Sequence, residues 1–548
     1  MNSNLRIVIA AFVSMLFIIA WQNFTHEEST TTEVKILEST KKDGDDHLIS
    51  AEQSRPVGVK EDENKKIVTF RNNLISGSIN LVGARIDNLD LLKYREEIND
   101  NKHVSLLSPP SSKNPYYAEL GWISDDPDLE IPTRKSVWSS NKNDFGPNDN
   151  ITLSWKNSKG IEYVINFHLD ESYMFTIEQK VIGLQNKKVS CYAAINKSLR
   201  PDNQNQMMVH EGGIGVFGNK LKEITFEKLN KSNHKFPGLD DYWFGFSDKY
   251  WLTAIAVQGN STSNAQFSSY RINGQRKYQA DAIISNTQNN YNKIYLFTGA
   301  KELKLLEHYK EKFNIKLFDR AVDFGILYFI TKPIFIMLNY LHTLVQNFGV
   351  AIILLTFFIK TLLFPLAYKG FAGMNKIKKI QPELARLKSL YKNDKQKFQI
   401  SVVELYKREK VNPVSGCLPI LIQMPIFFAL YKVLYVTIEM RHAKFCLWIN
   451  NLSSPDPTNI FTLFGMINWN PPSFFNVGVL PIIMALTLYG QQVLGPQHSD
   501  ENQVKVMRIL PLVFLFMFAS FPSGLVLYWS CSNILSIVQQ LLIKKFTK

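Results

Sequence analysis

Between Ile67 and Thr298 the chain alternates side-chain character with period two, most plainly where Ile161, Tyr163, Ile165, Phe167 and Leu169 interleave with Glu162, Val164, Asn166, His168 and Asp170. Such alternation sends successive side chains to opposite faces of a strand. Asn157-Ser158-Lys159-Gly160 just before it reads as a turn, and Tyr173, Phe175 and Ile177 continue the pattern on a following strand. Many short strands separated by Asn, Gly, Ser and Asp predict a large antiparallel all-β sandwich over 67–320. A helix from Lys301 to Asn314 closes it, with Leu303, Leu305, Leu306, Tyr309 and Phe313 on roughly one face.

After Phe324 the pattern changes to long apolar runs. Five of them, about 347–368, 417–438, 478–495, 506–521 and 524–543, are each read as a bilayer span, the last two joined by a tight turn at Phe521-Pro522-Ser523-Gly524. A sixth lies at the other end, where Leu5 to Phe24 is apolar over about the ~20 residues a spanning helix needs. Ile18-Ile19-Ala20 followed by Trp21 makes a poor signal-peptidase site, so 1–24 is read as an uncleaved anchor, and the Glu/Thr/Lys/Asp-rich stretch 25–66 as a disordered tether. The run from Gly325 to Val345 holds Lys332-Pro333, Asn339 and His342, with Gln346 just beyond, which suits an amphipathic helix lying in the interface over 321–346. Between the first two core spans, Met374, Ile377, Leu384, Leu387 and Tyr391 recur at helical spacing, as do Phe398, Val402 and Leu405 after Asn393-Asp394. Segment 369–416 is therefore read as a helical hairpin. The expected fold is an α-helical polytopic membrane core of six spans plus a large extracytoplasmic all-β sandwich.

Charge decides the orientation. The net charge is +14, yet acids and bases balance from Trp21 to Gln346. The excess sits in Arg6, Lys360, segment 369–416, Lys432 and the tail 544–548 with Lys544, Lys545 and Lys548. A neutral sandwich argues against nucleic-acid binding there. Six spans place the basic hairpin and the tail in the cytosol together with the N-terminus, as the positive-inside rule demands; a seventh span at 325–345 would put both outside. The hairpin basics, among them Lys376, Lys378, Lys379, Arg386 and Lys388, obey that rule as a solvated loop, or form a docking surface for an acidic partner such as ribosomal RNA or anionic lipid.

Lys360 is the most informative single residue. It lies nine residues before Lys369 in an apolar run, roughly 13 Å of helix from the cytosolic end. A cation near the bilayer centre costs on the order of 2.5–3.5 kcal/mol on insertion scales, so it calls for a polar partner, water or a function, unless it snorkels in a thinned bilayer. Thr356, Gln423, Thr487, Ser532, Asn533, Ser536 and Gln540 are further polar residues in the spans, read either as interhelical hydrogen-bonding groups or as the lining of a wet cavity. The spans contain no Asp or Glu for a proton relay. Gly213-Ile214-Gly215-Val216-Phe217-Gly218 fits GxGxxG, but a turn and another strand follow it where a dinucleotide site needs a helix. His210-Glu211 is a candidate acid/base pair on a strand end, with a structural role as the commoner alternative. The four cysteines have no metal-ligand spacing, and Cys417 and Cys531 sit in apolar runs as buried thiols; no metal and no cofactor is expected.

Lys410-Val411-Asn412-Pro413-Val414-Ser415-Gly416-Cys417-Leu418-Pro419 with Leu421-Ile422-Gln423-Met424-Pro425-Ile426-Phe427 resembles the YidC/Oxa/Alb family of membrane protein insertases. Phe521 to Trp529 with Ser532-Asn533, and Asp323-Phe324-Gly325, are similar to further signatures of that family, and the chain length suits its full-length, Gram-negative type. The resemblance implies a hydrophilic groove open to the cytosol and to lipid, with one positive charge on the second span at the position of Lys360. Many members have Arg there, and Lys keeps the charge but loses the planar donor fork. It also implies that Thr356, Gln423, Met424, Pro425, Trp529, Ser532 and Asn533 line the groove or the client's path, and that the outer domain is a β-supersandwich similar to sugar-mutarotase folds. The implied work is non-enzymatic: nascent membrane proteins enter the bacterial inner membrane, alone or beside the Sec translocon, while Lys376, Lys378, Lys379, Arg386, Lys388, Lys544 and Lys545 face the ribosome or targeting factors. Membrane lipids are the other partners, and no small-molecule substrate is expected. Two rival classes are a transporter, for which the chain lacks the internal repeat, and a membrane-anchored sugar-binding protein or epimerase acting through His210 and Glu211.

Overall fold

The computed structural model describes residues 66–546 apart from 99, 185–187, 199–208, 260–262, 273, 286–290, 393, 410–417, 464–465, 468, 470–475 and 495–500. The expected anchor 1–24, all but the last residue of the tether 25–66, and the motif residues Lys410 to Cys417 lie outside the described residues. The described residues fall into two compact units, one holding Pro333–Leu430 and Ala443–Lys548, the other the residues up to Lys332 together with Tyr431–His442.

The second unit is built from a ten-stranded and a nine-stranded sheet, nearly all antiparallel. The strand Glu162–Leu169 shows why the alternation was legible: Tyr163, Ile165, Phe167 and Leu169 are buried while the residues between them are half-buried or exposed. It pairs with Asn150–Lys156 across the turn Asn157–Gly160, where Gly160 takes a φ of +85° that suits glycine. The next strand, Met174–Ile182, pairs with it on one side and with Tyr291–Ala300 on the other. Rings from the two sheets meet in the interior: Phe70 lies 5.1 Å from Phe175 and Trp122 lies 5.1 Å from Tyr163, both edge to face. Helix α1 (Phe226–Leu229) is a single turn, and α2 (Leu303–Lys312) buries Leu303, Leu306 and Tyr309. The segment Tyr431–His442 completes this unit. Lys432 Nζ is 2.8 Å from Asp323 Oδ2, Lys249 Nζ lies 3.5 Å from the Tyr435 ring centroid, and Arg441 donates to the Glu96 carbonyl at 3.0 Å.

The helices that follow are α3 (Tyr328–Val345), α4 (Phe348–Leu362), α5 (Phe364–Leu390), α6 (Lys395–Arg408), α7 (Leu418–Val436), α8 (Val479–Leu494), α9 (Glu501–Phe518) and α10 (Ser523–Phe546). In the first unit α10 packs against both α8 and α4, and α9 packs on α8. Gly349 in α4 lets the Phe445 ring approach where any Cβ would collide. The first amides of α10, at Ser523 and Gly524, donate to the carbonyls of Ser454 and Leu452, so the turn after Phe521 is tied down at its apex. Helices α5 and α6 form the expected hairpin around Ile380 and Leu405, closed by Arg408 and Glu383 at 2.6 Å.

The run 347–368 is bent: the helix breaks at Leu363 and turns by 59°, and α5 then runs on into the hairpin. Pro365 sits in the first turn of α5, where its missing N–H is harmless, so the break at Leu363 suits it. Among the described residues, Ser523–Lys545 alone suffices by length and apolar composition to cross a bilayer, the bent pair Phe348–Leu362 and Phe364–Gly373 does so if counted as one, and Gln423–Val436, Val479–Leu494 and Met507–Phe518 are shorter.

Candidate functional site

Lys360 sits in the last turn of α4, half-buried. Its Nζ donates to Ser536 Oγ at 2.8 Å on α10 and lies 3.5 Å from Gln423 Oε1 on α7. Ser536 is free to accept because its own hydroxyl proton goes to the Ser532 carbonyl at 2.8 Å. Gln423 is oriented from its other end, where Nε2 donates to the Tyr528 hydroxyl, so its carbonyl oxygen is left facing the ammonium. Gln539 Nε2 donates to the Lys360 carbonyl at 3.0 Å, fastening the C-terminal end of α4 to α10. Two helices thus bring neutral oxygens to a cation carried by a third, and among the described residues no carboxylate pairs with it.

The other expected residues divide into those that join this cluster and those that do not. Asn533 is buried beside it on α10 and donates to Thr487 Oγ1 of α8 at 3.2 Å. Ser532 contributes its backbone carbonyl. Thr356, one turn before Lys360, turns its hydroxyl back to the Ile352 carbonyl at 2.6 Å and makes no bond to the lysine. Trp529 stands among Phe427, Phe514 and Phe518, with ring centroids 4.7, 6.0 and 5.0 Å away, as an apolar wedge between α7, α9 and α10. On α10 Trp529 lies about 60° from Ser532 and, seven residues before Ser536, on nearly the same face two turns away, so distance along the helix separates it from the partners of Lys360. Met424 and Pro425 are half-buried on α7 next to Gln423. Lys376, Lys379, Arg386 and Lys388 are exposed on α5 and Lys544 and Lys545 on α10; the Lys378 side chain lies outside the described residues. Ser536, Tyr528 and Gln539 complete the cluster without having been singled out as site residues. For Ser536 the signal was there, because it shares a helical face with Asn533 and Gln540.

The rival site in the sandwich has a structural explanation. Gly212–Phe217 is a strand in a hairpin with Lys220–Thr225, so the glycines open no helix. His210 is buried; its Nε2 lies 3.0 Å from the Gly213 carbonyl and its backbone N–H donates to Asp323 Oδ2 at 3.0 Å. Burial pushes the imidazole pKa down and the Glu211 carboxyl up, and no bond joins the two side chains among the described residues. Cys191, Cys446 and Cys531 are free thiols, and no group of three metal-ligating side chains occurs among the described residues.

Residues 67–337 match the YidC periplasmic domain family and residues 340–548 the family described as 60Kd inner membrane protein. Membrane protein insertases YidC of Rickettsia akari and Rickettsia felis are each 40% identical, and that of Rickettsia typhi 41%, with all of this chain and all of each relative covered. The chain belongs to the YidC family. It is a membrane protein insertase of the inner membrane, non-enzymatic, with a large periplasmic β-sheet domain and a helical YidC membrane core, and its clients are nascent membrane proteins. A solved structure of an active YidC insertase with its first transmembrane domain resolved is 16% identical, covering 88% of this chain and 93% of that one at a TM-score of 0.36, and adds nothing to the sequence matches.

Proposed function

We propose that this insertase lowers the barrier to moving a client's short polar tail across the membrane by offering it the polar cluster around Lys360, while the client's apolar segment leaves sideways into lipid. One observation carries this reading: the Lys360 ammonium is held by Ser536 and Gln423, both neutral, and is therefore a charge without a counter-charge among the described residues. An acidic tail residue supplies that counter-charge, and the hydroxyls and amides of Ser536, Gln423, Asn533 and Tyr528 replace part of the water that a polar chain loses in hydrocarbon. Thr356 and Ser532 belong to the same helix faces; Met424, Pro425 and Trp529 form the apolar border along which the hydrophobic segment slides.

The proposed topology has six spans, with both termini and the hairpin cytosolic, the sheet domain periplasmic and α3 in the outer interface. Exposed Phe329, Ile336, Tyr340 and Leu344 along α3 support an interfacial position. Lys376, Lys378, Lys379, Arg386 and Lys388 of the hairpin, with Lys544 and Lys545, would meet the ribosome, targeting factors or anionic headgroups, and the Sec translocon is a second partner for larger clients. The test is protease protection of a small client with an acidic outward tail, inserted into liposomes that contain only the purified insertase. Wild type and Lys360→Arg are expected to protect the tail; Lys360→Ala is expected to yield at least ~10-fold less product, a loss of about 1.4 kcal/mol. Equal protection by all three removes the charge from the mechanism.

A further inference from the structure

From Pro457 to Ser499 the chain contains no Asp, Glu, Lys or Arg, although its described residues before Val479 belong to no α-helix. Loops in contact with water are seldom so bare of charge. The exposure of its large side chains is equally unusual: Met466 is 85% exposed, Leu463 52%, Trp469 48% and Ile467 47%. Isolated apolar residues at a surface need no explanation, but four within seven positions do.

The base of this loop is rigidly built. Asp456, itself buried, accepts from the Leu480 N–H at 2.8 Å, the Thr458 N–H at 2.9 Å and the Thr458 hydroxyl at 2.6 Å, and Thr458 Oγ1 accepts from the Val479 N–H at 3.0 Å. Asn459 donates to Asn476 Oδ1 at 2.9 Å and the Ile460 N–H to the Val477 carbonyl at 3.1 Å. The apolar side chains are therefore presented from a pinned stem directly at the N-terminus of α8.

Helix α8 carries a second exposed apolar surface. Ile483, Leu486, Tyr489 and Val493 are exposed along one face of it, the face a membrane core turns to lipid. Sixteen residues of α8 rise only about 24 Å, against a hydrocarbon thickness of ~30 Å. The stem of the apolar loop is bonded to the N-terminal end of this short helix, at Val477, Val479 and Leu480. A Trp beside Met, Leu and Ile is the composition that settles at the boundary between headgroups and acyl chains.

We infer that the loop residues Leu463, Met466, Ile467 and Trp469 form a lipid anchor that inserts into the leaflet at the N-terminal end of α8, fixing that end of the helix at the depth of the headgroup/acyl boundary. The leaflet's identity as the periplasmic one rests on the topology proposed above; the insertion itself does not. Once the loop is held in lipid, the position of α8, and with it Thr487 beside Asn533, is fixed relative to the membrane plane.

The full-length insertase, with Cys191, Cys417, Cys446 and Cys531 replaced by Ala or Ser and insertion activity retained, is given a single spin label at Leu463→Cys, Met466→Cys or Ile467→Cys and reconstituted in phosphatidylethanolamine/phosphatidylglycerol liposomes. Collision with oxygen, which concentrates in acyl chains, is compared with collision with a water-soluble nickel chelate. The anchor requires oxygen to exceed nickel at these sites, and the reverse order at Pro455→Cys, which is exposed at the stem. Nickel exceeding oxygen at all three sites places the loop in water and overturns the inference. Low collision with both reagents and an immobilised spectrum means protein covers the loop, a second copy or another part of this chain, and also overturns it. Labelling of Pro455→Cys and of Ser389→Cys, in the hairpin, by a membrane-impermeant maleimide reads the topology separately, so an error in sidedness is not mistaken for an error in depth.

Discussion

Asp323 accepts three bonds: from Lys432 Nζ at 2.8 Å, from the His210 N–H at 3.0 Å and from the Gly325 N–H at 3.1 Å. Burial works against its charge, but the Lys432 ammonium and these donors overcome it and hold the carboxyl below the usual Asp range. Its folded pKa is depressed, so its contribution is complete above the unfolded value of about 3.9 and is lost as pH falls through the lower folded value. Asp323→Ala strands Lys432 without this carboxylate and is expected to cost about 2–3 kcal/mol, near the low end for breaking a buried pair because the lysine keeps some exposure. Denaturant unfolding in detergent at neutral pH checks this, and the double variant Asp323→Asn/Lys432→Met should lose less than Asp323→Ala alone. Asp281 shows the opposite sign. Burial raises its pKa to about 7 despite donation from Gln266 and Gln279. That carboxyl favours the fold at low pH and erodes it as pH rises from about 4 through 7. Asp281→Asn is accordingly expected to raise the unfolding temperature more at pH 8 than at pH 5, and an equal effect at both would show that Asp281 is not held neutral.

At the scale of elements, caps and breaks account for what hydropathy alone leaves open. Asp456 precedes α8 by more than twenty residues in sequence yet caps its N-terminus. Asp456→Ala is expected to cost about 1–2 kcal/mol, the usual loss for an N-cap, and to speed hydrogen exchange in the first turn of α8 before the rest of the core. Exchange that stays slow there would show the loop to be held by other contacts. Pro365 marks the converse at α4 and α5, where one hydropathy peak holds two helices with a 59° bend. Hydropathy averages over a window, whereas a proline acts at one peptide bond, and so the bend within the run 347–368 does not show in its hydropathy.

For the whole molecule, the division of the chain matters. Tyr431–His442 belongs with the periplasmic unit, through Lys432, Tyr435 and Arg441, although its first six residues are the end of the helix that carries Gln423. Deletions within the sheet domain that spare Glu96, Lys249 and Asp323 should therefore be tolerated in client insertion far better than Lys360→Ala; deletion variants that reach the membrane but insert as poorly as Lys360→Ala would reverse that ranking. Much of this was legible from the chain. The β alternation around Tyr163, the apolar runs, the basic hairpin and the isolated Lys360 are local patterns of one residue against its neighbours, and local sterics and desolvation fix their consequences. The partners were not legible. That Ser536 and Gln423 would meet Lys360, that Trp529 would turn into a ring cluster, and that Asp456 would cap a distant helix depend on which helix faces come together across up to 176 residues of chain. Helical period gives each face, but only packing of α4, α7, α8 and α10 decides which faces meet.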